Sequence, residues 1–228
     1  MITVAQARPS DRASFIRRTY LHLAGAVGAF IAVEFLLFNT GIAAALTNLV
    51  FAGEGRFIWL AFLGGFALLG WFARSLIASA RSGEQQYVGL GIYVVAEALL
   101  FAPLLYIASS IGSDVIPTAA ALTLLMFAGL TTIAFTTKTD FSFLRGFLTI
   151  GGFVALGLIV CSMIFGFTLG LIFSGAMVIF ASAAILYDTS KIMHHYSTDQ
   201  HVAAALELFA SVVLLFWYVL RIVMAMRR

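Results

Sequence analysis

Apolar runs of about twenty residues, separated by short polar joints, fill the chain. Seven can be marked, at about residues 19–39, 57–79, 87–109, 115–136, 143–165, 169–187 and 202–224. Each is close to the ~20 residues that an α-helix needs to cross a 30 Å hydrocarbon core. The runs are continuous rather than alternating, which favours spanning helices over the strands of a barrel. The pattern therefore predicts an all-α, polytopic membrane helix bundle of seven transmembrane helices. Residues 1–18 form a polar N-terminal tail, and 19–228 form a single transmembrane domain with no linker. Residues 42–51 are also apolar and predict a short interfacial helix in the first loop.

Composition agrees with this reading. The chain is 62% hydrophobic and only 10% charged, with a mean hydropathy of +1.06. Its 22 phenylalanines suit a lipid-facing surface. The single Cys161 excludes an intramolecular disulfide. The first 18 residues are polar for too long to be a standard signal peptide, so the first run reads as a retained helix. Arg8, Arg12, Arg17, Arg18, Arg74, Arg81, Lys138, Arg145 and Lys191 fall on one side of the spans, and Arg56, Arg227 and Arg228 on the other. That asymmetry places the N-terminus in the cytoplasm. The basic C-terminus then lies outside, unless the final helix is shallow and the spans number six.

Ionisable residues inside apolar runs are costly and by default mark a partner, a cavity or a pathway. Glu34, Glu97, Glu207 and Arg221 are of this kind. The last run carries two of them, which suits a central helix. At 1.5 Å per residue Arg221 and Glu34 lie at similar depth, roughly 27 and 24 Å from the inner end. A salt bridge from Arg221 to Glu34 or Glu97 is expected, against an Arg221 that snorkels to the outer interface. For Glu97 the alternative is a neutral acid bonded locally, near the kink that Pro103 allows. Asp188 follows Tyr187 at the expected end of the sixth run, the unfavourable end of a helix dipole for an acid. His194, His195, His201 and Asp199 share one polar segment, but their spacing fits no standard zinc site and reads as a solvated loop.

Several chemistries are excluded. No Gly-x-Ser-x-Gly elbow or His-Glu-x-x-His pair is present, so no enzyme is expected. Lys138 and Lys191 are the only lysines. Neither lies in the last run, which rules out a retinal Schiff base. No cofactor, resident metal or nucleic-acid partner is expected.

Arg17-Arg18-Thr19-Tyr20, the loop Lys138-Thr139-Asp140-Phe141-Ser142-Phe143-Leu144, Tyr187-Asp188-Thr189, Ala205-Leu206-Glu207-Leu208-Phe209 and Leu220-Arg221-Ile222 occur in that order. Together they resemble the Bax inhibitor-1 family, and its bacterial YccA-like branch in particular, over nearly the whole chain. The resemblance implies seven helices with the last one central, in a bacterial inner (plasma) membrane. It also implies a pH-sensitive calcium or cation leak channel, with calcium as transported or transiently bound ion. The alternative that it implies is a regulator that binds a membrane-anchored ATP-dependent protease. In the leak members two aspartates face each other from the sixth and seventh helices. Asp188 matches the first, while the motif places the second at Ser211, so the paired acid is missing here. Glu207 lies one helical turn before Ser211 and either approaches Asp188 or sits solvated among headgroups. Any calcium leak is then expected to be weak or to need lower pH.

Overall fold

The computed structural model describes residues 3–51, 56–78, 83–137 and 139–227, except the side chains at 56–60, 62, 63, 66, 78 and 83. Arg81, Lys138, Arg228 and the Arg56 side chain, all used in the orientation argument, lie outside the described residues. The elements are α1 (Pro9–Asn39), α2 (Ile42–Phe51), α3 (Arg56–Ala78), α4 (Gly83–Ile111), α5 (Val115–Thr137), a 3₁₀ turn (Phe141–Phe143), α6 (Leu144–Phe165), α7 (Leu171–His194) and α8 (His201–Arg227). Among the described residues the one β pairing is an isolated bridge between Thr3 and Ser197. The protein is an all-α membrane protein.

By length and composition, α1, α4, α5, the segment Phe141–Phe165, α7 and α8 are long and apolar enough to cross a membrane. The 23-residue α3 falls on the remaining expected run, with Ala67–Ile77 as its described apolar stretch. The interfacial helix expected at 42–51 is α2. Two boundaries move. α1 begins at Pro9, well ahead of its apolar run, with proline at a helix start where its missing N–H costs nothing. α7 runs past Tyr187 to His194. Two glycines end helices in the left-handed region that other residues disfavour: Gly41 after α1 (φ 75°) and Gly166 after α6 (φ 76°).

The chain forms two compact units, Met1–Leu23 with Pro117–Arg228, and Ala24–Ile116. In the first, α7 buries Ser174, Met177, Ala181, Ile185, Asp188 and Ile192, a stripe at spacings of three and four residues that defines one helix face. It packs on α8, whose own buried stripe includes Ala204, Leu208, Ser211 and Leu215. Small residues such as Ala181 and Ala204, both fully buried, permit close approach of the two backbones. The most apolar stretch of α8 is 61% buried, against 6% for α6. α8 is thus the core helix of its unit, and α6 turns side chains such as Ile150, Phe153 and Leu156 outward. The N-terminal segment also belongs here: the Val4 N–H donates to the Tyr196 carbonyl at 2.8 Å, and Val4 is fully buried.

In the second unit α4 packs on α2 and α3. A Cβ at Gly89 would stand 2.6 Å from Ile77 Cγ1 and 3.0 Å from the Ala73 carbonyl oxygen, so glycine sets how closely α3 and α4 approach. The edge-on rings of Phe30 and Phe101, 5.3 Å apart, hold α1 against α4. The helix continues through Pro103, although proline removes one donor of the ladder.

Candidate functional site

Asp188 and Ser211 meet in the middle of the α7–α8 contact. Because α7 extends to His194, Asp188 lies within the helix rather than at its end, and the dipole argument no longer applies to it. Its neighbours in the stripe, Ile185 and Ile192, are fully buried, as are Leu208 and Leu215 on either side of Ser211. The Ser211 hydroxyl donates to Asp188 Oδ2 at 2.5 Å. That length is typical of a hydroxyl bonded to a carboxylate. Both residues are only 7% exposed. An acid placed in apolar surroundings needs such a donor. The serine therefore stands opposite the aspartate, as the motif placed it, and supplies a hydroxyl where a second carboxyl would otherwise face the first. Glu207, one turn earlier on α8, is half-buried.

Arg221 is half-buried and donates from its guanidinium to the Leu169 carbonyl at 3.0 Å, in the segment joining α6 and α7. Arginine stays charged in any protein setting, and a backbone carbonyl is one way to meet that charge. Glu34 and Glu97 belong to the second unit. Glu97 is 5% exposed and accepts from the Tyr93 hydroxyl, one turn before it on α4, with Arg74 as the nearby cation. Arg74 in turn reaches the Tyr93 hydroxyl at 3.5 Å and stacks over its ring at 5.5 Å. Arg74 and Tyr93 were not singled out in the sequence. The i, i+4 spacing of Tyr93 and Glu97 was the available signal. Glu34 is 7% exposed, and among the described residues neither of its carboxyl oxygens has a hydrogen-bond partner.

Of the histidine segment, His195 and Asp199 are exposed in the turn between α7 and α8, while His194 and His201 belong to those helices. His194 closes α7, and its Nδ1 bonds the Ser190 carbonyl at 2.9 Å. His195 follows as the C-cap, with its Nε2 3.4 Å from Asp140 Oδ2. Asp140 caps the 3₁₀ turn, accepting from the Ser142 N–H at 3.0 Å and the Ser142 hydroxyl at 2.5 Å. Ser190 ties this turn to α7 by accepting from the Phe141 N–H at 2.9 Å and donating to Asp140 at 3.3 Å. The Ser142 hydroxyl first, then its backbone N–H, His195 and Ser190, pull the Asp140 carboxyl down from 3.8 to about 2. His22 and His201 face each other with ring centres 4.9 Å apart. Among the described residues no group of three His, Cys, Asp or Glu side chains could hold a metal ion.

The family described as "Inhibitor of apoptosis-promoting Bax1" matches residues 12–228. An uncharacterized protein of Pseudomonas aeruginosa is 40% identical over 119 residues, covering 52% of this chain and 53% of its own length. Uncharacterized proteins of Neisseria meningitidis serogroups A and B are each 27% identical over 168 residues, covering 71% of this chain and 74% of theirs. The chain thus spans about half the length of the Pseudomonas relative.

Proposed function

Since the chain belongs to the Bax inhibitor-1 family, we propose that it is a non-enzymatic, pH-sensitive calcium or cation leak channel of the bacterial inner membrane, with its N-terminus in the cytoplasm. The observation that supports this reading is the buried Asp188–Ser211 pair at the centre of the α7–α8 contact. A buried carboxyl changes charge by one unit when it takes a proton, and two helices packed on it respond together. With two facing aspartates the acids share a proton and titrate as a unit. With serine opposite, the second aspartate of that pair is missing, so the leak is weak and its pH response is shallower.

A second reading, a membrane-embedded regulator that binds a membrane-anchored ATP-dependent protease, is favoured by the serine at 211 in place of that second acid. Calcium entry into dye-loaded liposomes across a pH series separates the two. The leak reading expects a weak, pH-dependent flux in the wild type, a flat response in Asp188→Asn and a steeper response nearer neutrality in Ser211→Asp. A strong pH-gated flux that Asp188→Asn leaves unchanged overturns the role of Asp188. No flux in any of the three proteins, together with a protease subunit recovered by crosslinking in native membranes, supports the regulator instead.

A further inference from the structure

Threonines in the spanning helices of this protein usually turn their hydroxyls back onto the carbonyl four residues earlier. Thr123 donates to Ala119 at 2.8 Å, Thr132 to Ala128 at 2.7 Å and Thr149 to Arg145 at 2.8 Å. That local acceptor is always within reach in a helix. Thr131 and Thr189 do not use it. Their hydroxyl oxygens are buried and have no hydrogen-bond partner among the described residues, and the same holds for the Tyr20 hydroxyl. Thr189 is fully buried.

These three groups come from three helices of one unit and converge. Phe127, Thr131 and Phe135 are spaced four residues apart and so form a single stripe on α5. The Tyr20 ring, from α1, lies against both phenylalanines, with centroids 6.4 and 6.0 Å away. Its position brings the phenolic oxygen to face the hydroxyls of Thr131 and, from α7, Thr189. The three oxygens are near enough to interact, but no hydrogen bond of good geometry closes among them. Three buried hydroxyls that forgo local acceptors and share one spot without good bonds form a site whose missing member is small and both donates and accepts.

We propose that Tyr20, Thr131 and Thr189 form a buried water site, in which one water bridges α1, α5 and α7. Interior waters typically make about three hydrogen bonds to otherwise unsatisfied groups, which is the number of hydroxyls offered here. Each hydroxyl acts as donor or acceptor by rotating, so the water keeps its partners whichever way it is oriented. An anion is disfavoured because no cationic side chain is among the three groups, and a divalent cation because no carboxylate is. The site lies on the helical turn that carries Asp188, but it requires no ion conduction.

The sign of a stability change tests it on the full-length protein in lipid nanodiscs. Thr189→Val and Thr131→Val keep side-chain shape and remove one hydroxyl each, and Tyr20→Phe does the same for the phenol. If the water is present, each variant lowers Tm, because it leaves the water short of a partner. The double variant Thr131→Val/Thr189→Val then lowers Tm by less than the sum, because both act on one water. If the spot is dry, removing an orphaned buried hydroxyl relieves a cost, so Tm rises or stays level, which overturns the proposal. A wild-type measurement stands beside these. In water-edited solid-state NMR, the Thr131 and Thr189 side chains should receive magnetisation from water. Absence of that transfer while the exposed Thr132 receives it also overturns the proposal.

Discussion

Asp188 in one unit and Glu97 in the other are buried acids on core helices, and they are met in different ways. Asp188 accepts from a hydroxyl of the neighbouring helix, a neutral donor. Glu97 accepts from the Tyr93 phenol on its own helix, which the Arg74 guanidinium also reaches. One acid is met across a helix contact by a neutral hydroxyl, and the other along its own helix by a phenol with a cation nearby. The two therefore differ in what each loses when its partner is removed.

Three stability changes would break or sharpen that contrast, followed by one pH effect. Tyr93→Phe removes the phenol hydroxyl, so both Glu97 and Arg74 lose a hydrogen bond. Unfolding in denaturant should show a loss of about 3 kcal/mol. Ser211→Ala removes a single donor to Asp188, and about 2 kcal/mol is expected. If Ser211→Ala proves the costlier, the hydroxyl is more than a neutral partner and the contrast fails. Glu34→Gln breaks no hydrogen bond, so its effect on the same measurement should be about 1 kcal/mol or less.

Smallest is the effect at Asp140, whose side chain is 46% exposed and whose bonds are screened by solvent. Its folded carboxyl titrates at about 2 rather than 3.8. The stabilisation it gives is therefore complete above about pH 4 and lost as pH falls through about 2. Asp140→Asn should flatten acid unfolding within that window and lower stability slightly at neutral pH, where the carboxylate's contribution is complete.

The sequence carried the spanning helices well, because long apolar runs have few other physical solutions in water or lipid. Even α2, at ten residues, was marked by its own apolar stretch. The Asp188–Ser211 pair was legible because the motifs fix both positions on neighbouring helices. The length of α7 was not: Thr189, Ser190, Lys191 and His194 look polar, yet Thr189 and Ser190 are fully buried, and Ser190 is held by the 3₁₀ turn that precedes α6. Depth along the helices set Arg221 beside Glu34, but depth does not name a partner, because a guanidinium is equally satisfied by a carbonyl such as that of Leu169. Glu97 has Arg74 nearby, a residue that entered the sequence reading only through the orientation of the spans.

Val4, seated against Tyr196 and bridged beside Ser197, ties the order of synthesis to the order of assembly. Residues 3 and 4 leave the ribosome before any helix of this chain, yet the backbone they bond to emerges only after α7 is complete. Closing so long a loop is slow, although the entropy cost grows only gently with length. The first residues must therefore remain unseated while six of the expected spans enter the membrane. A nascent chain arrested before Tyr196 would carry Val4 without that backbone partner, exposing an early segment to proteases or chaperones until Tyr196 arrives.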